Sequence, residues 1–438
     1  MKPRRTISLI SLGCPKNLVD SEGLVSTLIS RGFQVLREPE EADLVLVNTC
    51  GFLDASRQES LEVIRDAVAL KKKGVHGVLV TGCMVGNFKA LLDKEAPGVD
   101  RLVSFQEYRQ IDRIADEILP PTGVPEFTVD RRRMDIALTP AHYSYLKISE
   151  GCNHTCAFCI IPDIRGPMHS FSTDDLVSKA RVLAARGVKE ICLIAQDSTV
   201  YGADLYGEIR LPRLLERLQE IDELRWIRLM YAYPTEVTPL LADTLAQGGR
   251  ILPYLDVPVQ HAANRILQRM RRGYGRSRLE QMIDLLRERS PDLALRTTVI
   301  VGFPGETEAD FQELLDFVKD ARFDRLGAFR YSREPGSAAA DLDDHLPDEV
   351  KEERFARLMT LQQSIAFASN EGRVGTQEEV LVDHAAGDGQ PARARTRRDA
   401  PEVDSAVLIG EGQVLAGDML TVEITGTEGY DLRAVPVS

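Results

Sequence analysis

The chain has 438 residues, of which 43% are apolar and 28% charged, a composition that is ordinary for a globular protein and excludes disorder over most of its length. The 54 basic and 67 acidic residues leave a net charge of −13, which argues against a protein that coats nucleic acid but is compatible with a basic partner. No run approaches the ~20 apolar residues of a membrane span, and no apolar core follows the basic residues 1–5. We therefore expect a cytoplasmic protein with no signal peptide and no membrane contact, built from about three domains.

The first 120 residues predict an α/β domain. Strands are predicted at residues 7–12, 44–47 and 78–80, and helices at about 17–32 and 55–70, the first ending at Gly32. Because these strands are apolar throughout, we expect a parallel sheet with helices on both faces. The carboxyl ends of such strands meet at one edge, where the ligand crevice lies. Three cysteines stand just past the strand ends and should therefore meet in space: Cys14, Cys50 and Cys83.

A linker and a longer strand–helix alternation follow. Two prolines at 120–121 and three arginines at 131–133 indicate a linker over residues 121–140. Residues 141–369 then predict six strand–helix units, with helices for example at 174–185 and 279–289. Since eight units close a full barrel, we expect an open or partial (β/α)6 barrel. Its strands are predicted at residues 145–149, 190–195, 226–231, 254–259, 293–301 and 326–331.

The last segment, residues 370–438, predicts a small antiparallel β-barrel. Short strands at 380–382, 406–409 and 420–424 are separated by glycine-rich turns, and no helical pattern remains. This segment carries thirteen Asp or Glu and six Arg, a net charge of 6 − 13 = −7.

The seven cysteines do not indicate a disulfide framework, because their number is odd and the expected compartment is reducing. Cys192 lies inside a predicted strand, so we expect it to pack in the core. Three others fall in residues 150–159, Glu-Gly-Cys-Asn-His-Thr-Cys-Ala-Phe-Cys, directly after the first barrel strand. They are Cys152, Cys156 and Cys159.

Three thiolates on one loop suit a four-iron cluster with one iron left free of protein ligands. An open coordination position is typical of a reactive site. One alternative is zinc with His154 as the fourth ligand, although no second pair of closely spaced cysteines lies nearby. Another is three unrelated buried thiols.

This loop, with an aromatic residue before its last cysteine, resembles that of the radical S-adenosylmethionine (SAM) superfamily. The resemblance implies that SAM chelates the open iron and that an electron from the cluster cleaves SAM to a 5′-deoxyadenosyl radical. The protein then orients the cofactor and excludes side reactions. Phe158 is expected to pack near the adenine.

The whole chain resembles the methylthiotransferases of that superfamily, with its last segment similar to their TRAM domain. This resemblance implies that Cys14, Cys50 and Cys83 hold a second 4Fe–4S cluster whose open iron carries the sulfur to be inserted. Ordinary burial is the alternative for these three cysteines. Two SAM molecules would serve each turnover, one donating a methyl group and one forming the radical. Since the radical itself removes hydrogen, a general base need not be present and we name none. We expect no Ser-His-Asp arrangement and find no motif for one.

Other segments are candidates for the SAM site. Residues 299–307 form a predicted strand that enters a Gly/Pro turn, and in the resembled family this stretch lies beside SAM. We therefore predict SAM contacts for Gly302, Gly305 and Glu306, the alternative being a strand–helix turn with Glu306 near a helix N-terminus. Gln196 and His261 follow two other barrel strands, where barrel sites lie, although His261 could equally be structural.

Two substrate classes divide the methylthiotransferases. One branch modifies an adenosine in transfer RNA and typically carries Gly-Cys-Gln-Met-Asn. The other modifies the β-carbon of an aspartate in the twelfth protein of the small ribosomal subunit. Residues 11–22, with Gly-Cys-Pro-Lys-Asn, resemble the second branch, as do residues 195–197 and 254–262.

Charge supports the ribosomal-protein branch. The acidic last segment suits a basic protein target, free or within the assembled subunit, better than RNA. Arginine runs at 393–398 and 269–278 oppose this, since they could contact RNA or substrate, or simply be solvated. Sulfur-donor and electron-donor proteins are the further partners expected. The alternatives are a transfer-RNA methylthiotransferase and a non-catalytic iron–sulfur carrier.

Overall fold

The computed structural model describes residues 5–121, 136–387, 389–410 and 412–437. These residues form three main sheets, which we call the N-terminal module (residues 5–118), the barrel module (143–371) and the β-module (377–436). The three arginines at 131–133, and with them most of the predicted linker, lie outside the described residues. The predicted domain boundaries stay predictions. No helix in the described part of the chain is both long and apolar enough to cross a membrane.

The N-terminal module is a five-stranded parallel sheet of order β2-β1-β3-β4-β5, which confirms the predicted α/β class. Gly32 ends the first helix as predicted: its φ is +90° and its N–H donates to the Ile29 carbonyl at 2.8 Å. The edge strands were not predicted because they are short and partly polar. The elements are β1 (Arg5–Ser11), α1 (Pro15–Ser30), β2 (Phe33–Leu36), β3 (Leu44–Thr49), α2 (Asp54–Ala69), β4 (Gly77–Gly82), α3 (Cys83–Asn87), α4 (Lys89–Glu95), β5 (Arg101–Val103) and α5 (Ile111–Ile118).

The barrel module is a six-stranded parallel sheet of order β13-β12-β11-β10-β9-β6 that does not close, as predicted for a partial barrel. Strands β10 and β11 end before the predicted 231 and 259, and positive φ angles follow them at Tyr231 (62°) and Gln260 (68°). The elements are β6 (Tyr143–Lys147), β7 (Ser149–Glu150), α6 (Ile161–Arg165), β8 (His169–Ser170), α7 (Thr173–Ala185), β9 (Glu190–Ile194), α8 (Ala203–Tyr206), α9 (Leu211–Gln219), β10 (Trp226–Leu229), α10 (Pro239–Ala246), β11 (Ile251–Asp256), α11 (Asn264–Arg269), α12 (Arg276–Arg289), β12 (Ala294–Val301), α13 (Glu308–Ala321), β13 (Arg325–Arg330) and α14 (Asp348–Glu371).

The two faces of the barrel sheet belong to two different cores. In β9, Ile191 and Leu193 pack against the surrounding helices, whereas Cys192 and Ile194 face the inside of the open barrel. Because both faces are covered, the strand is apolar at successive positions rather than alternating. The core position predicted for Cys192 is confirmed, since this residue is fully buried.

The β-module is a closed five-stranded barrel of order β14-β15-β16-β18-β17. Strand β15 was not predicted, because it carries the arginine run at 393–398. Arg395, in the middle of that run, is neither solvated nor free to contact RNA. It is 3% exposed and pairs with Glu190 and Asp383 at 2.6 and 2.7 Å. The strands are β14 (Gln377–His384), β15 (Ala392–Thr396), β16 (Val407–Ile409), β17 (Met419–Glu428) and β18 (Asp431–Pro436).

The two smaller modules pack at opposite ends of the barrel sheet. The β-module contacts the amino ends of the strands, where the Tyr143 hydroxyl donates to Glu402 at 2.8 Å. The N-terminal module contacts the carboxyl ends, where Lys147 pairs with Asp20. The carboxyl ends of both parallel sheets therefore face one another, which is where ligand sites of such sheets lie.

Candidate active site

The N-terminal cysteines meet at the edge of their sheet, as predicted. Cys14, Cys50 and Cys83 follow β1, β3 and β4, which are neighbours in the sheet. A Cβ atom built on Gly13 would lie 2.9 Å from Cys50 Cβ, and one built on Gly51 would lie 2.9 Å from the Cys83 carbonyl carbon. Glycine at both positions therefore allows the three cysteine loops to approach this closely.

Asn17 organises these loops, and sequence reasoning missed it. Its Nδ2 donates to the carbonyls of Leu12 and Thr49 at 3.0 and 2.9 Å, which ties together the loops after β1 and β3. Its Oδ1 lies 3.6 Å from Cys83 Sγ. The available signal was an asparagine three residues after Cys14 in the first helical turn, where a buried amide needs partners.

The barrel cysteines lie on the loop after β7, and each sulfur receives an N–H hydrogen bond. The backbone N–H of His154 points at Cys152 Sγ at 3.5 Å, and that of Ile161 points at Cys159 Sγ at 3.4 Å. Cys156 Sγ receives the guanidinium of Arg272 at 3.1 Å. Such donors stabilise thiolates, the form in which cysteine binds iron.

Burial governs the acidity of these thiols. It raises the pKa of Cys83 to about 11 and that of Cys159 to about 12. Burial also raises the pKa of Cys50 and of Cys152. A bound cation reverses this preference, because coordination deprotonates a thiol outright.

His154 is engaged in a way that disfavours the zinc alternative. Its ring stacks on Tyr233 with centroids 3.8 Å apart, and its Nε2 lies 2.6 Å from Asp197 Oδ2. Within the described ranges, no group of three or more His, Cys, Asp or Glu side chains converges as the ligands of a single ion would. A four-iron cluster instead takes its thiolates at separate corners of a cube, so its ligands need not converge on one point.

Arg165, at the end of α6, joins the two cysteine regions. Its side chain is 2% exposed and pairs with Asp20 at 3.0 Å and Glu150 at 2.8 Å. Its Nη2 donates to Asn17 Oδ1 at 2.5 Å and lies 3.7 Å from Cys83 Sγ. The residue therefore reaches from the cysteine loop of the barrel to the edge of the N-terminal sheet.

The side chain of Gln196 ends in a free acceptor. Its Nε2 donates to Glu150 Oε1 at 2.9 Å, whereas its Oε1 is buried and finds no hydrogen-bond partner among the described residues. Burial raises the pKa of Glu150, but the opposing effect of Lys147 and Arg165 is larger, so the pKa falls to about 2. A buried, unpaired amide oxygen beside the cysteine loop fits the predicted role of Gln196 as a ligand contact.

Phe158 packs against an apolar cluster of the barrel module that includes Ile300 and Phe303. A cavity of about 360 Å³ is lined by Cys152, His154 and Asp197 among others. The cysteine loop is therefore bordered by an apolar cluster and by an open space.

The Gly/Pro turn after β12 has a packing role of its own. A Cβ atom on Gly302 would lie 2.4 Å from Lys351 Cγ, and one on Gly305 would lie 2.3 Å from Asp344 Oδ2. Buried Glu306 accepts from the Gly302 N–H at 2.8 Å and pairs with Arg354 at 2.7 Å. The side chains of α14 and its preceding loop thus account for both glycines, and contact of this turn with SAM stays a prediction.

His261 is fully buried, and its Nε2 lies 3.5 Å from Glu306 Oε2. Its Nδ1 accepts from the backbone N–H of Ala263 at 3.0 Å. The backbone therefore fixes Nδ1, whereas buried Nε2 makes no hydrogen bond among the described residues, so both interpretations of this histidine stay open.

Family models match three stretches of the chain. The Radical SAM superfamily model matches residues 146–318, and the model of uncharacterized protein family UPF0004 matches residues 6–104. The TRAM domain model matches residues 374–437. Each stretch matches one of the three modules, and the radical SAM match ends before β13 and α14.

The chain is also similar to curated proteins over nearly its whole length. It is 45% identical to the ribosomal protein uS12 methylthiotransferase RimO of Bordetella petrii, covering 98% of each chain. It is 44% identical to the protein of that name from Anaeromyxobacter sp. (strain K), over 96% of this chain and 91% of the relative. Among solved structures, the radical SAM methyltransferase TsrM of Kitasatospora setae matches with a TM-score of 0.56 at 16% identity, over 75% of each chain.

Proposed function

The chain belongs to the ribosomal protein uS12 methylthiotransferases, a family of radical SAM enzymes, and we propose that it inserts a methylthio group at the β-carbon of an aspartate in uS12. The observation that carries this proposal is the meeting of two three-cysteine sets at the facing carboxyl ends of two parallel sheets, joined by Arg165. Sulfur insertion needs a sulfur carrier and a radical that activates the C–H bond, in one place. One cysteine set would hold the cluster that carries the sulfur, and the other would hold the cluster that cleaves SAM to form the radical.

The enzyme's cofactors are 4Fe–4S clusters and SAM. We assign one cluster to Cys14, Cys50 and Cys83 and the other to Cys152, Cys156 and Cys159. The N–H donors to the three barrel sulfurs support the second assignment. When bound, these groups supply radical hydrogen abstraction, the transferred sulfur and its methyl group, with two SAM molecules per turnover.

The residues of the chain hold and shield these groups. Arg272, 5% exposed, donates to Cys156 Sγ and places a positive charge beside the thiolate. Gln196 offers its free amide oxygen, and Phe158 offers an apolar face. We keep Gly302, Gly305 and Glu306 as proposed SAM contacts through their backbone or carboxylate atoms.

The charge of the β-module supports a basic protein as the substrate. Six Arg against thirteen Asp or Glu over residues 370–438 give a net charge of −7. Much of the arginine run at 393–398, in and after β15, pairs within the protein, for example Arg395 with Glu190 and Arg398 with Asp324. This module is therefore a poor RNA-binding surface and suits a basic ribosomal protein, free or in the assembled subunit. We place the reaction in the cytoplasm, with separate proteins donating sulfur and electrons.

The test gives the anaerobically reconstituted enzyme both uS12 and transfer RNA, with SAM, a chemical reductant and sulfide. We expect mass spectrometry to find the methylthio group on one aspartate of uS12 and none on the nucleosides. Reactions without SAM are the control. Modified adenosine with unmodified uS12 would replace this proposal by the transfer-RNA alternative.

A further inference from the structure

Lys16 reaches from the N-terminal module onto the barrel. It lies in the first turn of α1, two residues after Cys14. Its Nζ lies 3.2 Å from the centroid of the Tyr231 ring, which follows β10 in the barrel module. The ammonium is therefore held between the two cysteine regions.

Among the described residues, no carboxylate forms an ion pair with this ammonium. Within the part of the chain that the structure describes, Lys16 Nζ makes neither an ion pair nor a hydrogen bond. Two carboxylates act on Lys16 electrostatically, and both are paired with arginines: Asp256 with Arg296 at 3.3 Å, and Glu150 with Arg165 at 2.8 Å. A half-buried cation is costly unless anions lie near it. Cys14, as a thiolate ligand of the proposed cluster, is one such anion, and an anionic substrate group would add a second.

The position of Lys16 in its helix is also unfavourable for a purely structural lysine. The amino end of a helix carries partial positive charge, so acids stabilise it and cations do not. The first turn of α1 contains no acid, and Lys16 adds a positive charge there. A residue that breaks a local stability rule in this way is expected at a functional site.

Tyr231 is held in a strained conformation that presents its ring to Lys16. Its φ of 62° is rare for a bulky side chain and costs of the order of 1 kcal/mol. Its carbonyl accepts from the Ser198 N–H at 2.9 Å, and its N–H points at Asp256 Oδ2 at 3.4 Å. The end of β10 is thus fixed as a platform for the ammonium, which the aromatic face attracts.

We propose that Lys16, supported by the Tyr231 ring, binds the side-chain carboxylate of the substrate aspartate. This inference rests on the proposed function. The β-carbon that reacts is bonded directly to the carboxylate carbon, so a cation that holds the carboxylate also fixes the reacting carbon. Lys16 lies two residues from Cys14, and this places that carbon next to the N-terminal cysteine set.

The test compares uS12 with a variant in which the target aspartate is asparagine. Three reconstituted enzymes are used: wild type, Lys16→Gln, and the charge-retaining control Lys16→Arg. The measured quantities are kcat/KM for methylthiolation, substrate-free SAM cleavage, and iron content. Iron content shows that each variant still folds around its clusters.

We expect the wild type to prefer aspartate over asparagine by at least about 30-fold, the scale of a desolvated charge contact. Lys16→Gln is expected to lose about the same factor on aspartate and to treat both substrates alike. Lys16→Arg should recover part of the preference. Substrate-free SAM cleavage and iron content should match the wild type in both variants.

An unchanged aspartate preference in Lys16→Gln would overturn the inference and leave the proposed function intact. Loss of substrate-free SAM cleavage in that variant would also overturn it, since Lys16 would then serve SAM. A wild-type enzyme that modifies neither form of uS12 would refute the proposed function, and the inference with it.

Discussion

The two ends of the barrel sheet are closed in contrasting ways. At the amino ends, the β-module buries a network of charges in which Glu190 lies between Arg228 and Arg395, at 2.7 and 2.6 Å. At the carboxyl ends, the Lys16 ammonium and the Gln196 amide oxygen have no hydrogen-bond partner in the described ranges of the chain. Paired charges fix the amino end, although single guanidinium nitrogens of Arg228 and Arg325 also lack partners among the described residues there. The unpaired groups at the carboxyl end lie beside the cysteine loops, where a ligand could reach them.

The contrast has an energetic meaning. Buried ions cost several kcal/mol each to desolvate, and only close partners recover that cost. The amino end meets this requirement, for example with Arg325 and Asp399 at 2.5 Å. The carboxyl end meets it around Arg165 and again where buried Arg57 of the N-terminal module pairs with Glu334 of the barrel module at 2.5 Å.

The largest effect is expected from Cys156→Ala at the carboxyl end. Because this residue is a proposed ligand of the barrel cluster, SAM cleavage and methylthiolation should both be abolished, while about half of the iron remains in the N-terminal cluster. The measurements are deoxyadenosine release and iron content of the anaerobic protein. Cys192→Ala is the matched control, since that cysteine lies in the barrel core and should leave both clusters in place. Deoxyadenosine release by Cys156→Ala would contradict the assignment of the barrel set.

Cys50→Ala is expected to separate the two half-reactions. Sulfur insertion should stop, whereas SAM cleavage should continue because the barrel cysteines are untouched. Chromatography of deoxyadenosine and mass spectrometry of uS12, from the same reactions, check both. If the variant modified uS12 at the normal rate, the N-terminal cysteines would not be the sulfur site.

Arg165→Met tests the junction at the carboxyl end. Its removal leaves buried Asp20 with a single cation, Lys147, and should destabilise the protein by about 3 kcal/mol. A lower urea midpoint would show this. Arg65→Met is the control, because the Arg65–Glu95 pair is exposed and is worth less than about 1 kcal/mol. Equal midpoints for the two variants would mean that Arg165 does not stabilise the junction.

The smallest effect concerns the amino end and depends on pH. Burial raises the pKa of Asp399, but the opposing effect of Arg325 and Arg373 is larger. The pKa therefore falls from an ordinary 3.8 to about 2. A carboxyl group with a lower pKa in the folded protein than in the unfolded chain stabilises the folded state at any pH above the unfolded-chain pKa. This stabilisation is lost as the pH falls through the pKa of the folded state. The free energy of unfolding of the wild type should therefore exceed that of Asp399→Asn by about 2 kcal/mol at pH 7. This difference should disappear as the pH falls from about 4 to about 2.

The fluorescence of Trp226 during urea unfolding measures the free energy of unfolding of each protein at each pH. Trp226 is the single tryptophan of the chain, and its Nε1 donates to Glu379 of the β-module at 3.1 Å. Asp222→Asn, at an exposed acid, should show no such pH-dependent difference. A difference for Asp399→Asn that persisted at pH 2 would mean that the carboxylate charge is not its source.

The sequence predicted well what depends on regular patterns. Apolar strands followed by cysteines predicted both the parallel sheet and the meeting of Cys14, Cys50 and Cys83, because parallel strands end at one edge. The early ends of β10 and β11 were missed, since a left-handed tyrosine or glutamine has no signature in sequence. The packing of Gly302 and Gly305 against α14 and its preceding loop was missed because it depends on a helix that begins about forty residues later.

Residues that act between modules were not predictable. Arg165 and Lys16 look like ordinary surface charges in sequence, and only the docking of two sheets shows what they contact. Arg395 was misjudged for the same reason. Its neighbours in sequence are charged, and its partner Glu190 lies about two hundred residues earlier.

The placement of the β-module sets the order in which the protein matures on the ribosome. Leu381 and Ala400 complete the apolar cluster inside the barrel, and Arg395 completes the charge network around Glu190. During synthesis the barrel strands emerge well before these residues do. A nascent barrel therefore exposes this apolar interior until the final segment leaves the exit tunnel.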